Sequence, residues 1–304
     1  VGAPATPSLL GSYTGIDASQ DLAVAGGYAS VVDANNHFFV VNVANPASPT
    51  LANAANTFLL ASLVAKSLAM NGTTAYVAAG DGGLAILNVT APAAPVFVGT
   101  IATPGRAVAA SVSGTTLYLA AGFHGLQVYD VTTATSPALQ TDLPTSIRSC
   151  DVAVNNSLAF VAAGESGLRI YDLVNAARPA WLGWFAGALN ARCVAVSGST
   201  AYVGDGQYGL KIVNVTVPAS PALLGSWSGT NLSSIRNLGV SGSLVVASDG
   251  LKVCLFDVST PALTPAHPIS PDKRPYSIFG QRFMTTSRPA ASASVAAWSW
   301  RTVS

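Results

Sequence analysis

Six basic residues in a chain with few charges stand at nearly the same point of a recurring pattern: Lys66, Arg106, Arg148, Arg192, Arg236 and Lys273. Each precedes by four or six residues the last apolar residue of a short apolar run: Met70, Val112, Val154, Val196, Val240 and Phe279. Even offsets along an extended strand place side chains on one face. Cations that converge on a concavity focus positive potential, which is the chemistry of an anion site. Its ligand would be a carboxylated or sulfated glycan, a phosphate or an acidic protein segment. The alternative is structural, with each guanidinium fork spent on backbone carbonyls or on Asp21 and Asp151. The first run departs from the pattern, with Gln20 in place of the cation and Asp17 and Asp21 beside it. Phe123-His124 and Gln207-Tyr208 fall in turns of the same face, so His124 and Tyr208 join the candidate ligand-binding set.

Catalytic chemistry finds little support. The sequence contains no His-Glu-x-x-His, Gly-x-Ser-x-Gly, Gly-x-x-x-x-Gly-Lys-Ser/Thr or Cys-x-x-Cys. The histidines His37, His124 and His267 fall in different repeats and read as solvated or packed residues. Glu165, the sole glutamate, and Asp151 are a candidate carboxylate pair for glycoside hydrolysis. Nothing in the spacing sets them opposite each other, and a lone glutamate in a turn is ordinarily a solubilising residue. No catalytic residue, metal ligand or cofactor is assigned.

What positions the cations is a repeat. Gly-Leu recurs at residues 83, 125, 167 and 209, every 42 residues, and again at Gly250-Leu251. The surrounding text repeats with it: AYVAAGDGGLAILNVTAPAAP, LYLAAGFHGLQVYDVTTATSP, AFVAAGESGLRIYDLVNAARP and AYVGDGQYGLKIVNVTVPASP. A period of this length, built from short apolar runs and Gly/Pro turns, specifies a β-propeller blade. In the copy from Asn190 to Trp227, strands are predicted over Arg192–Val196, Ala201–Val203, Leu210–Val215 and Ala222–Trp227. Blades pack on both faces, so strict apolar/polar alternation is not expected. A polar residue closes each third strand, at Asn42, Asn88, Asp130, Asp172, Asn214 and Asp257, and is predicted to cap the following turn through its side chain. The Asn-x-Ser/Thr sequences at Asn71, Asn88, Asn155, Asn214 and Asn231 read as the same turn chemistry.

These fragments, above all GLRIYDL, GLKIVNV, LFDVSTP and PSLLGSY, resemble the LVIVD-repeat proteins, β-propellers of bacterial and archaeal cell surfaces. The resemblance covers residues 8 to about 264. It implies a fold and a secreted or cell-surface address, and no activity.

With 304 residues and a period of 42, the expected fold is all-β, one domain over residues 1–304, a seven-bladed propeller of four-stranded antiparallel blades. Its last blade would take three strands from residues 274–301. Residues 8–14, with the isolated run Leu9–Tyr13, would add the outer strand and close the ring. Trp181, Trp184 and Trp227 would lie on outermost strands at the rim. Cys150 and Cys193 lie near the starts of adjacent inner strands with opposite parity. They are either a disulfide across one interblade gap or two buried thiols, with Cys254 free in both cases. Only 9% of residues are charged and the net charge is +1, so no global field draws the chain to nucleic acid or membrane. No apolar stretch approaches the roughly 20 residues of a membrane span, and VGAPATPS reads as a mature or excised start, so a soluble module is expected. The function expected is non-catalytic binding of an anionic glycan or protein partner on the channel-mouth face. A polysaccharide-active enzyme and an architectural subunit of a surface layer or filament are the alternatives.

Overall fold

The computed structural model describes residues 10–16, 19–53, 58–59, 63–144, 147–175, 178–228, 234–249, 253–259, 285–286 and 298–300. They form six antiparallel blades. From the axis outward, blade 1 is Ser19–Ala25, Tyr28–Asp33, His37–Asn42 and Thr50–Leu51, with Phe58–Leu59 also pairing to its third strand. Blade 2 is Ser67–Asn71, Thr74–Ala78, Leu84–Asn88 and Val96–Ile101; blade 3 is Ala109–Ser113, Thr116–Ala120, Leu126–Asp130 and Ala138–Leu143. Blade 4 is Asp151–Asn155, Leu158–Ala162, Leu168–Asp172 and Ala180–Phe185; blade 5 is Cys193–Ser197, Thr200–Gly204, Leu210–Asn214 and Ala222–Trp227. Blade 6 shows Asn237–Ser241, Leu244–Ser248 and Val253–Asp257 among the described residues.

The core is a series of interblade seams. Tyr76, Leu84 and Ile86 of blade 2 meet Leu117, Leu119 and Tyr129 of blade 3. Phe160 and Ile170 of blade 4 meet Val194, Val203 and Val213 of blade 5. Each fully buried side chain of this size contributes about 1.5–3 kcal/mol. Because the second and third strands of a blade serve two seams, both of their faces are buried, and for that reason these runs do not alternate.

The Gly-Leu signature has a backbone cause. Gly83, Gly125, Gly167 and Gly209 hold φ between 73° and 86°, the left-handed region. A Cβ at Gly83, Gly167 or Gly209 would run into the carbonyl oxygen of Ile101, Phe185 or Trp227, the last residue of the same blade's outer strand. The polar residues closing the third strands behave as their type predicts. The side-chain oxygens of Asn42, Asn88, Asp130, Asp172, Asn214 and Asp257 accept the N–H two residues ahead, at 2.7–3.0 Å. The same bonds hold the Asp130 and Asp257 carboxyls below their ordinary range, through the hydroxyl and N–H of Thr132 and the N–H and hydroxyl of Ser259.

Two expectations are corrected. Among the described residues the blades number six, not seven. In place of a seventh sheet, Trp298–Trp300 pairs antiparallel with the inner edge of blade 1, Leu22 opposite Trp300 and Val24 opposite Trp298. Thr285–Thr286 pairs with Trp298–Trp300 and lies beside the inner strand of blade 6. The C-terminal stretch lacks the Gly-Leu turn that folds a chain back into a blade, and its strands satisfy the free edge of the blade 1 sheet instead. Of the three strands expected within 274–301, Tyr276–Phe279 lies outside the described residues.

The second correction concerns ring closure by residues 8–14. Residues 10–16 form no strand and join no ladder. They lie along blade 1. Gly11 abuts Pro46 and Ala47, Gly15 abuts the Tyr13 ring, and Tyr13 and Ile16 pack on the blade 1 core of Leu22, Val24, Val31 and Val41. Gly183, Phe185, Gly187 and Ala188 make the corresponding contacts against blade 5. In residues 10–13 the likeness to an outer strand thus shows in side-chain packing, without the hydrogen-bonded ladder, and residues 8 and 9 lie outside the described residues.

Of the two arrangements left open for Cys150 and Cys193, the unbonded one is present: none of the three cysteines forms a disulfide. Cys193 opens the inner strand of blade 5 and points into the seam with blade 6, where Ile235, Leu238 and Cys254 surround it. Cys150 stands one residue ahead of the blade 4 inner strand, on the mouth side. Thiol titration of the denatured, unreduced protein is therefore expected to give three thiols per chain; a result of one would restore the bond.

Candidate functional site

One backbone device builds the mouth face. In blades 2 to 5 the turn between second and third strands bridges to the linker that enters the next blade: Gly80 with Ala107, Gly122 with Ser149, Gly164 with Ala191 and Gly206 with Ile235. The bridged linker residues are buried, Ala107 and Ala191 completely. Residues on either side of them must then point the other way, toward solvent. Arg106 and Arg148 immediately precede their bridged residues, and Arg192 and Arg236 immediately follow theirs. That flanking explains the two even offsets read from the sequence. All four arginines are exposed, and Lys66, the position matching Arg192, is half-buried.

The cations are thus delivered by loops at the head of the inner strands. Arg106 makes the one ion pair, its Nε 3.9 Å from Asp81 Oδ1, with both side chains more than half exposed. Such a pair is worth at most about 1 kcal/mol. Among the described residues the guanidiniums of Arg148, Arg192 and Arg236 have no hydrogen-bond or ion-pair partner. Arg148 and Arg192 come together around Cys150. Burial pushes that thiol up, Arg148 pulls it down, Asp151 raises it and Arg192 lowers it, with a net upward shift. Lys273 lies outside the described residues, as does His267. His124 and Tyr208 are exposed in turns of this face.

Asp21 and Asp151 join blades through backbone hydrogen bonds. Asp151 Oδ1 accepts the N–H of Val152 and Oδ2 the N–H of Val194 on the next blade's inner strand, at 2.9 and 3.0 Å. Asp21 does the same with Leu22 and Leu68, both at 2.9 Å. Asp151 is therefore buried and engaged with backbone, while Glu165 is exposed in its turn. The two are not presented together for acid and base work. His37 is fixed by Asp33, which accepts from its N–H at 2.7 Å and stands 3.0 Å from Nδ1. Among the described residues no three His, Cys, Asp or Glu side chains gather to hold a metal.

Two features escape a reading from spacing alone. On blade 5, Lys211 Nζ lies 3.6 Å from the buried carboxylate of Asp205 and donates to the Tyr208 carbonyl at 3.1 Å. Burial raises the Asp205 carboxyl, opposed by the N–H of Asn190 and by Lys211. On blade 4, Arg169 lies under Trp184, its Cζ 5.6 Å from the ring centre. Their cross-strand opposition is a matter of register, which the repeat alignment alone would have supplied. As expected, Trp181, Trp184 and Trp227 lie on outer strands, the first two exposed and Trp227 edge-on to Phe256.

Comparison with known proteins places this geometry. The LVIVD repeat matches at residues 17–57, 64–103, 148–185 and 189–228, more than half of the chain. No curated protein matches. Among solved structures, the computationally designed Ika8 protein is similar at 12% identity and a TM-score of 0.60, over 96% of this chain and 98% of that one. The WD40 β-propeller domain of Doa1 is similar at 13% identity and a TM-score of 0.61, over 83% of this chain and 86% of that one. At such identities the likeness is one of fold. The repeats, the four-stranded blades and the turn chemistry agree with the sequence match: the chain belongs to the LVIVD-repeat family of β-propeller proteins.

Proposed function

We propose that the chain is a non-catalytic binding module of a secreted or cell-surface protein, taking an anionic glycan or an acidic protein segment on the mouth face. One observation carries the reading: Arg106, Arg148, Arg192 and Arg236 stand exposed beside the interblade bridges of successive blades, with a single weak ion pair among them. Exposed cations held on a rigid ring by backbone bridges present charge without the ordering cost of a flexible loop. Lys66 extends the arc on blade 2, and Gln20 interrupts it on blade 1. His124 and Tyr208 supply ring contacts to a bound glycan.

Dextran sulfate serves as a probe with sulfate charge and no carboxylate. The intact chain is expected to bind it at low salt, and the R106A/R148A/R192A/R236A variant to bind at least roughly a hundredfold more weakly, each lost charged contact contributing about 1 kcal/mol or more. These side chains are exposed, so the variant should melt within a few degrees of the parent. No binding by the intact chain removes the reading.

A further inference from the structure

The cleft between the outer strands of blades 3 and 4 holds a second arrangement, independent of the mouth. On blade 4, Arg169 and Tyr171 share the face turned to blade 3, because their neighbours Leu168 and Ile170 face blade 5. Outer-strand register sets Trp184 opposite Arg169 and Trp181 opposite Tyr171, so both indoles project on that same side. Trp181 is 58% exposed and Trp184 48%. The Trp184 indole is fixed, its Nε1 donating to the Ser166 carbonyl at 2.8 Å. Beneath it lies Arg169, whose Nε is buried and has no hydrogen-bond partner among the described residues. A cavity of about 10 Å³, room for one water, lies beside Arg169 and Tyr171 against Ile147 and Ser149 of the blade 3 to blade 4 linker.

The fold does not require this rung. At the same register, blade 2 has Ala85 with Thr100, blade 3 has Gln127 with Asp142, and blade 5 has Lys211 with Ser226. In blade 3 the rung closes on itself, Gln127 Nε2 donating to Asp142 at 3.2 Å. Blade 4 instead has a cation with no carboxylate partner among the described residues, set against one face of the exposed Trp184 ring. A half-buried guanidinium without an anion is costly, and the natural complement is a ligand carboxylate, which accepts from two N–H groups at a time. The indole faces are negative and suit the polarised C–H face of a pyranose ring.

We propose that the blade 3/blade 4 cleft is a binding site for a uronic acid residue, its ring stacked on Trp184 and Trp181 and its carboxylate on Arg169. A ligand with an apolar ring face for the open side of the indoles and one carboxylate for the Arg169 guanidinium matches this surface. The site is distinct from the mouth in place and in chemistry, since stacking persists in salt that screens exposed charge.

Calorimetric titration with digalacturonate tests it. Saturable binding is expected for the intact chain and, unchanged, for the R106A/R148A/R192A/R236A variant. Trp184→Ala and Arg169→Gln are each expected to weaken it at least roughly tenfold, the value of one charged or stacking contact, and neutral digalactose is expected to bind at least tenfold more weakly than digalacturonate. Trp181→Ala, at an exposed position, provides a third variant if either of the others melts early, and is expected to weaken binding severalfold. Absence of saturable binding, equal affinity for digalactose, or indifference to the Trp184, Trp181 and Arg169 substitutions overturns the proposal. Loss of binding in the mouth variant alone would assign uronate to the mouth and overturn it equally.

Discussion

Asp151→Ala is expected to destabilise the ring by roughly 3–5 kcal/mol, because it strips a charged acceptor from two buried N–H groups at once. The two N–H groups belong to Val152 and Val194, on the inner strands of blades 4 and 5. Water cannot replace the acceptor without entering a seam where Val152 and Val194 are almost wholly buried. Asp151→Asn keeps one oxygen for one of the two N–H groups and turns an amide donor toward the other, so it should recover less than half of the loss. Chemical denaturation of the three proteins measures this directly. A loss below about 1 kcal/mol in the alanine variant would mean that the staple carries no more than an ordinary surface bond. Asp21 staples blades 1 and 2 in the same geometry, and its substitution should cost a similar amount.

Gly209→Ala is expected to cost about as much by a different route. Alanine at a left-handed φ of 86° is strained by roughly 1–2 kcal/mol. Its Cβ would also collide with the Trp227 carbonyl, which is backbone and has no rotamer to escape into. Trp227 closes the outer strand and packs edge-on to Phe256 of blade 6, so displacing it opens the seam between blades 5 and 6. The sum is roughly 3–5 kcal/mol, toward the upper end for one substitution. Gly198→Ala, at a left-handed hairpin glycine whose Cβ would meet nothing within 4 Å, isolates the conformational part and should cost only about 1–2 kcal/mol. Equal losses at Gly198 and Gly209 would refute the collision.

The blades were legible because their determinants are local and repeated. Gly83, Gly125, Gly167 and Gly209 are fixed by a backbone geometry within one blade, and Asn88 or Asp130 by a turn two residues long. Within blade 5 the expected strands match Cys193–Ser197, Thr200–Gly204, Leu210–Asn214 and Ala222–Trp227 to within two residues. Blade number was not legible, because counting periods takes the chain's end as one more repeat. The segment around Trp298–Trp300 carries no Gly-Leu turn, and its partner, the inner edge of Leu22–Val24, is nearly the whole chain away in sequence. The cysteine alternatives could not be decided from the sequence, because strand parity separates Cys150 from Cys193 but does not say which seam each one faces. The described cations lie just ahead of the inner strands and not on them, and the reason for the two offsets lies in bridges such as Gly122 to Ser149 and Gly164 to Ala191, which join different blades. The acceptor role of Asp151 toward the next blade was not legible, because it depends on neighbouring inner strands lying close enough for Val194 N–H to reach across.

Equilibrium binding of dextran sulfate, followed from low salt through about 0.15 M, where the screening length is about 8 Å, tests the cationic mouth most directly. A mouth that binds through Arg106, Arg148, Arg192 and Arg236 gives affinity falling steeply and log-linearly with salt, and a slope markedly reduced in the R106A/R148A/R192A/R236A variant. Binding that is indifferent to salt, or identical in the intact chain and the variant, would contradict it.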